Sequence, residues 1–329
     1  MEARRGTLIV IVALIAFSSV STGEALSSDY YQSTCPNLRQ IVCDAVKKKI
    51  NETAVTIPAV IRLFFHDAMI TGSDASTLIS LPTEDAEKDS SDNKSLAGDG
   101  FDTVIRAKKE VEKACPGVVS CADILALATS CAIELSGGPS YTVELGRYDG
   151  LVSNASLVDG NLPGPNFDLD KLIAIFDKHG FTLVDLVALS GAHTVGFCHC
   201  SRFADRLYNY NGQLGATDPT FNPQFADQLK QACPSNVGPT IAVNLDPFTP
   251  ITFDNLYFSN LVNGYGLLTS DEVLYTDTRS RPIVQWFAAN QTAFFEAFVV
   301  AIGKVGSLDV KTSADGEIRK DCTAYNKKQ

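Results

Sequence analysis

The sequence predicts an all-α fold. Three observations predict it: apolar residues recur at helical rather than alternating spacing, the segments that carry them start and stop at capping residues, and strand-like runs are short and few. Ile57 to Asp67 (IPAVIRLFFHD) reads as a helix with Pro58 near its start, where a missing N–H does no harm. Cys121 to Leu135 (CADILALATSCAIEL) is a long apolar-rich helix stopped by Ser136-Gly137-Gly138-Pro139. Asp168 to His179 opens on an Asp cap and ends at Gly180. Thr182 to Leu189 opens with Thr182-x-x-Asp185, a capping-box pattern, and ends at Ser190-Gly191. Arg281 to Lys304 holds one or two further helices, and short pairings are expected around Tyr141 to Glu144.

The chain has 329 residues. Arg4 and Arg5 precede an apolar run, Leu8 to Phe17, that is too short to span a membrane; small residues follow. This pattern predicts a signal peptide over residues 1–25, cut after Gly23 or Ala25, and a single domain over 26–329. The competing reading of the same stretch is an N-terminal membrane anchor. No internal repeat or long linker divides the remainder, and 45% hydrophobic with 20% charged residues is ordinary for a globular protein. The net charge of −11 argues against nucleic acid as a partner, because phosphate binding needs clustered Lys and Arg. The same charge would repel anionic wall polymers. Nine cysteines behind a signal peptide imply disulfides, with at least one left over. Asn51, Asn154 and Asn290 begin glycosylation sequons, as does Asn93.

Four histidines occur, His66, His179, His193 and His199. Arg62 and His66 lie four apart, on one face of the first predicted helix. A fixed cation beside a neutral base is what peroxide cleavage requires: the base moves a proton from one oxygen to the other, and the guanidinium stabilises the charge that develops. The plainer reading is a surface Arg near a half-buried His. The run Asp67-Ala-Met-Ile-Thr-Gly72-Ser-Asp74-Ala-Ser76 concentrates hard oxygen donors suited to calcium, without the spacing of an EF-hand; it also reads as a polar turn after a helix. His193, in Ser190-Gly-Ala-His193-Thr194, sits just past a helix end, where a neutral imidazole can take a metal or haem iron. The same stretch also reads as a zinc cluster of His193, Cys198, His199 and Cys200.

Taken together, these segments resemble the secretory plant peroxidases, the class III haem peroxidases. The resemblance runs from Tyr30-Tyr31-x-x-Thr-Cys35-Pro36 to Gly316-Glu-Ile-Arg319-x-x-Cys322. Its most specific pieces are Arg62-Leu-Phe-Phe-His66-Asp67, Val119-Ser-Cys121-Ala-Asp123, Leu189-Ser-Gly-Ala-His193-Thr194 and Phe253-Asp254-Asn255. Phe65 precedes the distal His, where intracellular relatives usually carry Trp.

The resemblance implies two helical lobes enclosing haem b, and one-electron oxidation of small phenolic donors by hydrogen peroxide. It implies His66 as acid-base catalyst, Arg62 as stabiliser of the transition state, Asn93 as partner of His66, and Glu87 as support for Asn93. His193 would be the axial iron ligand, Asp271 its carboxylate partner, and Pro163 a residue at the donor-binding edge. One calcium would use Asp67, Ile70, Gly72, Asp74 and Ser76; a second would use Thr194, Asp246, Thr249, Thr252 and Asp254. The implied bridges are Cys35–Cys115, Cys121–Cys322 and Cys200–Cys233. A monomer secreted to the apoplast is expected, without membrane attachment; the chain stops seven residues after Cys322, with no extension of the kind that directs some relatives to the vacuole.

The chain departs from the family pattern in one place. The two cysteines of the family's distal loop are replaced by Ala68 and Ser73, so that loop is expected to open more readily. The loss also motivates a second reading, a catalytically impaired peroxidase fold with a binding or structural role; a zinc hydrolase is a third. Cys43, Cys131 and Cys198 remain, read as free thiols by default with a further pair left open.

Overall fold

The computed structural model describes residues 26–326; the predicted signal peptide, 1–25, lies outside them. Among the described residues are twelve α-helices: α1 (Leu38–Glu52), α2 (Thr56–Ile70), α3 (Gly98–Ala114), α4 (Cys121–Leu135), α5 (Leu169–Lys178), α6 (Leu183–Ser190), α7 (Ala204–Tyr208), α8 (Pro223–Ala232), α9 (Leu256–Val262), α10 (Thr269–Thr276), α11 (Arg281–Ala289) and α12 (Gln291–Gly306). One small antiparallel sheet pairs β1 (Phe197–His199) with β2 (Ala242–Asn244). The all-α expectation is met, and the expected pairings fall slightly later than predicted. Tyr141 to Glu144 is unpaired, and isolated bridges join Leu145 to Ser27, Tyr148 to Lys311 and Asp149 to Glu317.

Local chemistry explains the helix ends. Ser120 caps α4 by accepting from Asp123 N–H, and Asp168 caps α5 by accepting from Lys171 N–H. Thr182 and Asp185 close the predicted capping box on α6. Asn290 separates the last predicted stretch into α11 and α12 by capping the second. α2 runs one turn further than its sequence signal, to Ile70, and stops before Gly72, whose φ is +111°. A Cβ there would sit 2.6 Å from the Asp309 oxygen, so this turn needs glycine on both counts.

The helices pack in two groups. α1, α2, α3 and α4 pack on one another, whereas α6, α9, α10, α11 and α12 form the other set; α12 packs on both α6 and α2 and joins them. Nearly all of α4 is buried, from Cys121 to Ile133, and it forms the axis of the first group. Its Asp123 carboxylate accepts from Arg147 (2.8 Å), Tyr31 (2.9 Å) and Gly146 N–H (2.8 Å), so the buried charge is fully partnered. A separate smaller core, built on Phe203, Leu207, Phe221, Phe225 and Leu229, lies under the sheet and α8.

Four disulfides cross-link the described chain: Cys35–Cys115, Cys43–Cys131, Cys121–Cys322 and Cys200–Cys233. The default reading of Cys43 and Cys131 as free thiols is therefore corrected. Their bridge ties α1 to α4, whose packing brings the two Cα atoms to 5.3 Å, a proximity that spacing along the chain does not reveal. Cys198 alone is free, and it is buried.

Replacing Cys43 and Cys131 together by Ala should lower stability by about 3 kcal/mol. The Cys35–Cys115 bridge already shortens the loop that the second bridge closes, so the loss falls below that of an isolated loop of this length. Thermal unfolding is expected to move down by roughly 5–10 °C with the fold retained; an unchanged transition would contradict the bridge.

Candidate active site

Arg62 and His66 project from the same face of α2, and a single short loop holds both. Asn93 Oδ1 lies 2.7 Å from His66 Nδ1, and Asn93 Nδ2 donates to the Glu87 main-chain oxygen at 2.9 Å. The second bond orients the amide, so its oxygen faces His66 and accepts from Nδ1–H. That sets the tautomer and leaves the His66 Nε2 lone pair free. Two residues on, Ser95 accepts both ends of the Arg62 guanidinium, through its carbonyl at 2.9 Å and its hydroxyl at 3.0 Å. Arg62 is exposed to an open space yet surrounded by protein, and this loss of solvation lowers it to about 10. His66 is buried, and burial together with the Arg62 charge lowers it to about 3, against the opposing effect of the Asn93 hydrogen bond. It is a neutral base across the working pH range. The Phe65 ring lies between an edge contact with His66 at 6.3 Å and Phe176 of α5 at 6.1 Å.

The second imidazole belongs to the other helix group. α6 ends at Ser190, and a single turn over Gly191–Thr194 carries His193. Its Nδ1 donates to Asp271 Oδ1 at 2.8 Å, in the first turn of α10. The same oxygen accepts from the Tyr257 hydroxyl at 2.9 Å. Burial alone would lower His193; the Asp271 charge and hydrogen bond outweigh it, and the imidazole is raised. Its side chain stays 38% accessible although Asp271 is sealed, so Nε2 faces a space rather than a partner. The Arg62 charge acts on both imidazoles, so the three groups lie near one another.

The predicted oxygen-rich loop after α2 is buried, with Asp67, Ser73, Asp74, Ala75 and Ser76 all at 1% exposure or less. Asp67 accepts from Ala75 N–H (2.8 Å) and Thr77 N–H (3.1 Å), and Asp74 accepts from Ser76 N–H (3.0 Å). Glu87 supports Asn93 as expected, but through its main chain rather than its carboxylate. Its main-chain oxygen serves Asn93, while its carboxylate turns to this loop and accepts from Ser76 and Thr77 hydroxyls, each at 2.9 Å. Burial raises Asp67, Asp74 and Glu87, the last to about 7; Asp74 and Glu87 raise Asp67 further, and Asp74 raises Glu87. The loop thus gathers three buried acids, although among the described residues no group of three or more His, Cys, Asp or Glu side chains is placed to hold a metal ion. Ile70 ends α2 beside them.

No disulfide holds this loop; hydrogen bonds from elsewhere in the chain do. The wholly buried Arg319 donates to the oxygens of Asp74 (3.2 Å) and Ala75 (2.7 Å), Gly150 N–H to Asp74 O (2.8 Å), Lys311 to Thr71 O (3.0 Å), and Ser73 N–H to Leu308 O (2.9 Å). These restrain the opening expected from the missing cysteines.

The second predicted cation set forms two local groups of contacts. Thr194 Oγ1 lies 3.2 Å from Asp254 Oδ1 and 3.5 Å from the Thr252 oxygen, and Thr249 Oγ1 lies 3.2 Å from Asp246 Oδ2. Pro163 is half-buried in the connection before α5. Asn51, Asn154 and Asn290 are exposed, whereas Asn93 is 2% exposed with both ends of its amide engaged. The zinc alternative loses a ligand, since Cys200 is bonded to Cys233. Three contributors were missed in sequence: Tyr257, Ser95 and Arg319. Tyr257 and Arg319 stand inside or beside the motifs quoted above, but nothing local says what they touch.

Residues 42–290 match the family model described as Peroxidase. Among similar curated proteins of Arabidopsis thaliana, Peroxidase 73 is 52% identical over 328 residues, which cover 98% of this chain and 99% of that protein. Peroxidase 51 is 51% identical, over 97% of each chain, and Peroxidase 55 is 50% identical, over 99% of this chain and 98% of the relative. The chain belongs to the peroxidase family. Within it, the near full-length likeness to these proteins makes it a class III plant peroxidase.

Burial and the Asp271 charge push the Cys198 thiol up to about 12. A disulfide-exchange reagent at mildly alkaline pH should therefore find no reactive thiol in the native protein and one per chain in denaturant. More than one thiol in denaturant would contradict the four bridges.

Proposed function

We propose that the protein is a secreted haem peroxidase, which reduces hydrogen peroxide and oxidises small phenolic donors in one-electron steps. The observation that carries this is the pair of imidazoles, on separate helix groups, each tied at Nδ1 with Nε2 left free, with Arg62 on the same helix face as His66. That donor set suits haem b, with His193 as its iron ligand. When bound, the group supplies the redox chemistry, taking two oxidising equivalents from peroxide and passing them to donors singly. His66 Nε2 takes the proton of the incoming peroxide and delivers it to the departing oxygen. Arg62, held by Ser95, stabilises the negative charge on that oxygen. Asp271 strengthens His193 as a donor by holding its Nδ1 proton. Pro163 would stand at the donor-binding edge.

The signal-peptide pattern supports secretion after removal of residues 1–25, with 26–329 as one domain. No helix among the described residues is long and apolar enough to cross a membrane. Two calcium ions would occupy the oxygen clusters around Asp67, Gly72, Asp74 and Ser76, and around Thr194, Asp246 and Asp254.

Absorbance tests this reading. The purified protein should show an intense Soret band, and peroxide should shift it. His193→Ala should lose the band or bind haem weakly. His66→Ala should keep the band but react with peroxide about 100- to 10,000-fold more slowly. A near wild-type rate in stopped flow would remove His66 from its role.

The distal cation is tested by restoring the bridge with Ala68→Cys and Ser73→Cys. Closing so short a loop is worth about 2 kcal/mol, roughly thirtyfold in an opening equilibrium. Because Arg319 and Lys311 already restrain the loop, the chelator concentration that halves activity should rise by less than that. An unmoved midpoint would mean that loop opening does not govern release of the ion.

A further inference from the structure

Trp286 is the only tryptophan of the chain, and it stands on α11 with 52% of its surface exposed. An exposed indole is an uncommon use of the largest apolar side chain, and here it is not isolated. Its ring stacks on Phe287 at 5.3 Å and 28°. Phe287 contacts Phe258 at 5.2 Å, and Phe258 contacts Tyr257 at 5.1 Å; both phenylalanines are fully buried. Tyr257 lies 6.1 Å from the His193 ring and shares the Asp271 oxygen with it. One unbroken run of aromatic contacts thus leads from the surface to the residue proposed to hold the iron. A second aromatic run, Phe248–Tyr265–Phe225–Phe221, also starts at the surface, but it ends on the Arg206 guanidinium and begins with a phenyl ring that does not oxidise readily.

We propose that Trp286 is a second donor site, at which phenols carried on a polymer too large for the haem site are oxidised one electron at a time; this rests on the peroxidase reading above. Electron tunnelling weakens steeply across gaps and is favoured through packed atoms, and every step of this run is a direct ring contact. Indole is the side chain on this surface whose chemistry fits the role. Its face stacks a phenolic ring, and its radical is a stronger oxidant than a phenoxyl radical. Trp286 gives up one electron inward, toward the peroxide-oxidised haem. A phenol stacked on it returns that electron and loses its hydroxyl proton to solvent. One hydrogen peroxide and two phenol groups give two waters and two phenoxyl radicals, so electrons and protons balance. Phe287 and Phe258 carry no polar group and need not hold charge; they keep the path dry and continuous.

The test uses the haem-loaded protein, its Trp286→Phe variant and its Trp286→Tyr variant. One donor is free 4-methylphenol; the other is the same phenol coupled to a large dextran. Trp286→Phe should oxidise free phenol within about twofold of wild type and the dextran-bound phenol about tenfold or more slowly, with Trp286→Tyr restoring part of the loss. A readout independent of turnover accompanies it. Peroxide is added without donor in the presence of a nitroso spin trap, and the adduct is located by peptide mass spectrometry. The expected adduct is on the Trp286 peptide, absent from the Phe variant. An adduct located elsewhere, or an unchanged dextran-phenol rate in Trp286→Phe, overturns the proposal and leaves the peroxidase reading standing. Loss of the Soret band or of free-phenol oxidation in the wild-type protein overturns both.

Discussion

Both His66 and His193 are pinned at Nδ1, and the rest of the site is arranged around those two hydrogen bonds. A neutral imidazole has one donor and one acceptor nitrogen, so fixing the proton on Nδ1 leaves the Nε2 lone pair free. The two acceptors differ. Burial, with the neighbouring guanidinium, lowers His66 to about 3 against the pull of the Asn93 amide; His193 is also buried, but its carboxylate partner outweighs burial and raises it. Chemically identical rings are therefore held in different states, which fits the proposed roles of proton carrier for His66 and iron ligand for His193. The assignment follows from what stands behind each ring.

Keeping these bonds requires long-range structure. Asn93 and Ser95 reach His66 and Arg62 from a loop that is itself fixed through Glu87, and Glu87 is locked by Ser76 and Thr77. The distal loop is thus continuous with the catalytic pair by hydrogen bonds as well as by the Asp67 peptide. Its cysteines are gone, and the guanidinium of Arg319 grips two successive carbonyls in their place. Arg319 itself is carried by the C-terminal segment that Cys121–Cys322 ties to α4. The Cys43–Cys131 bridge lies away from this loop and stiffens the α1–α4 contact instead.

Much of this was legible in the sequence. The helix caps at Ser120, Asp168 and Thr182 form within a few residues of one another, so local chemistry announces them. Arg62 and His66 share a face because helical spacing alone places them there. The role of Glu87 was legible only in part, because a residue's main chain and side chain can face opposite neighbours, and sequence names only the side chain. Cys43–Cys131, Ser95, Tyr257 and the β1–β2 pair depend on packing between distant elements, which no local pattern encodes.

Asp271 shows why the proximal side needs three elements rather than two. The carboxylate is 2% exposed, and a buried charge is tolerable only when its lone pairs are taken up. His193 alone would satisfy one donor position and would be free to surrender its proton outright. Tyr257 supplies a second donor to the same oxygen, and its own pKa is raised far by burial and by Asp271, so it remains an O–H donor. Sharing the charge between two donors weakens the pull on each. The proton therefore stays on His193 Nδ1, which would leave the imidazole a neutral ligand with added electron density for the proposed iron. α9 brings Tyr257, α10 brings Asp271, and the turn after α6 brings His193. A shift of any one of the three would unbalance the other two.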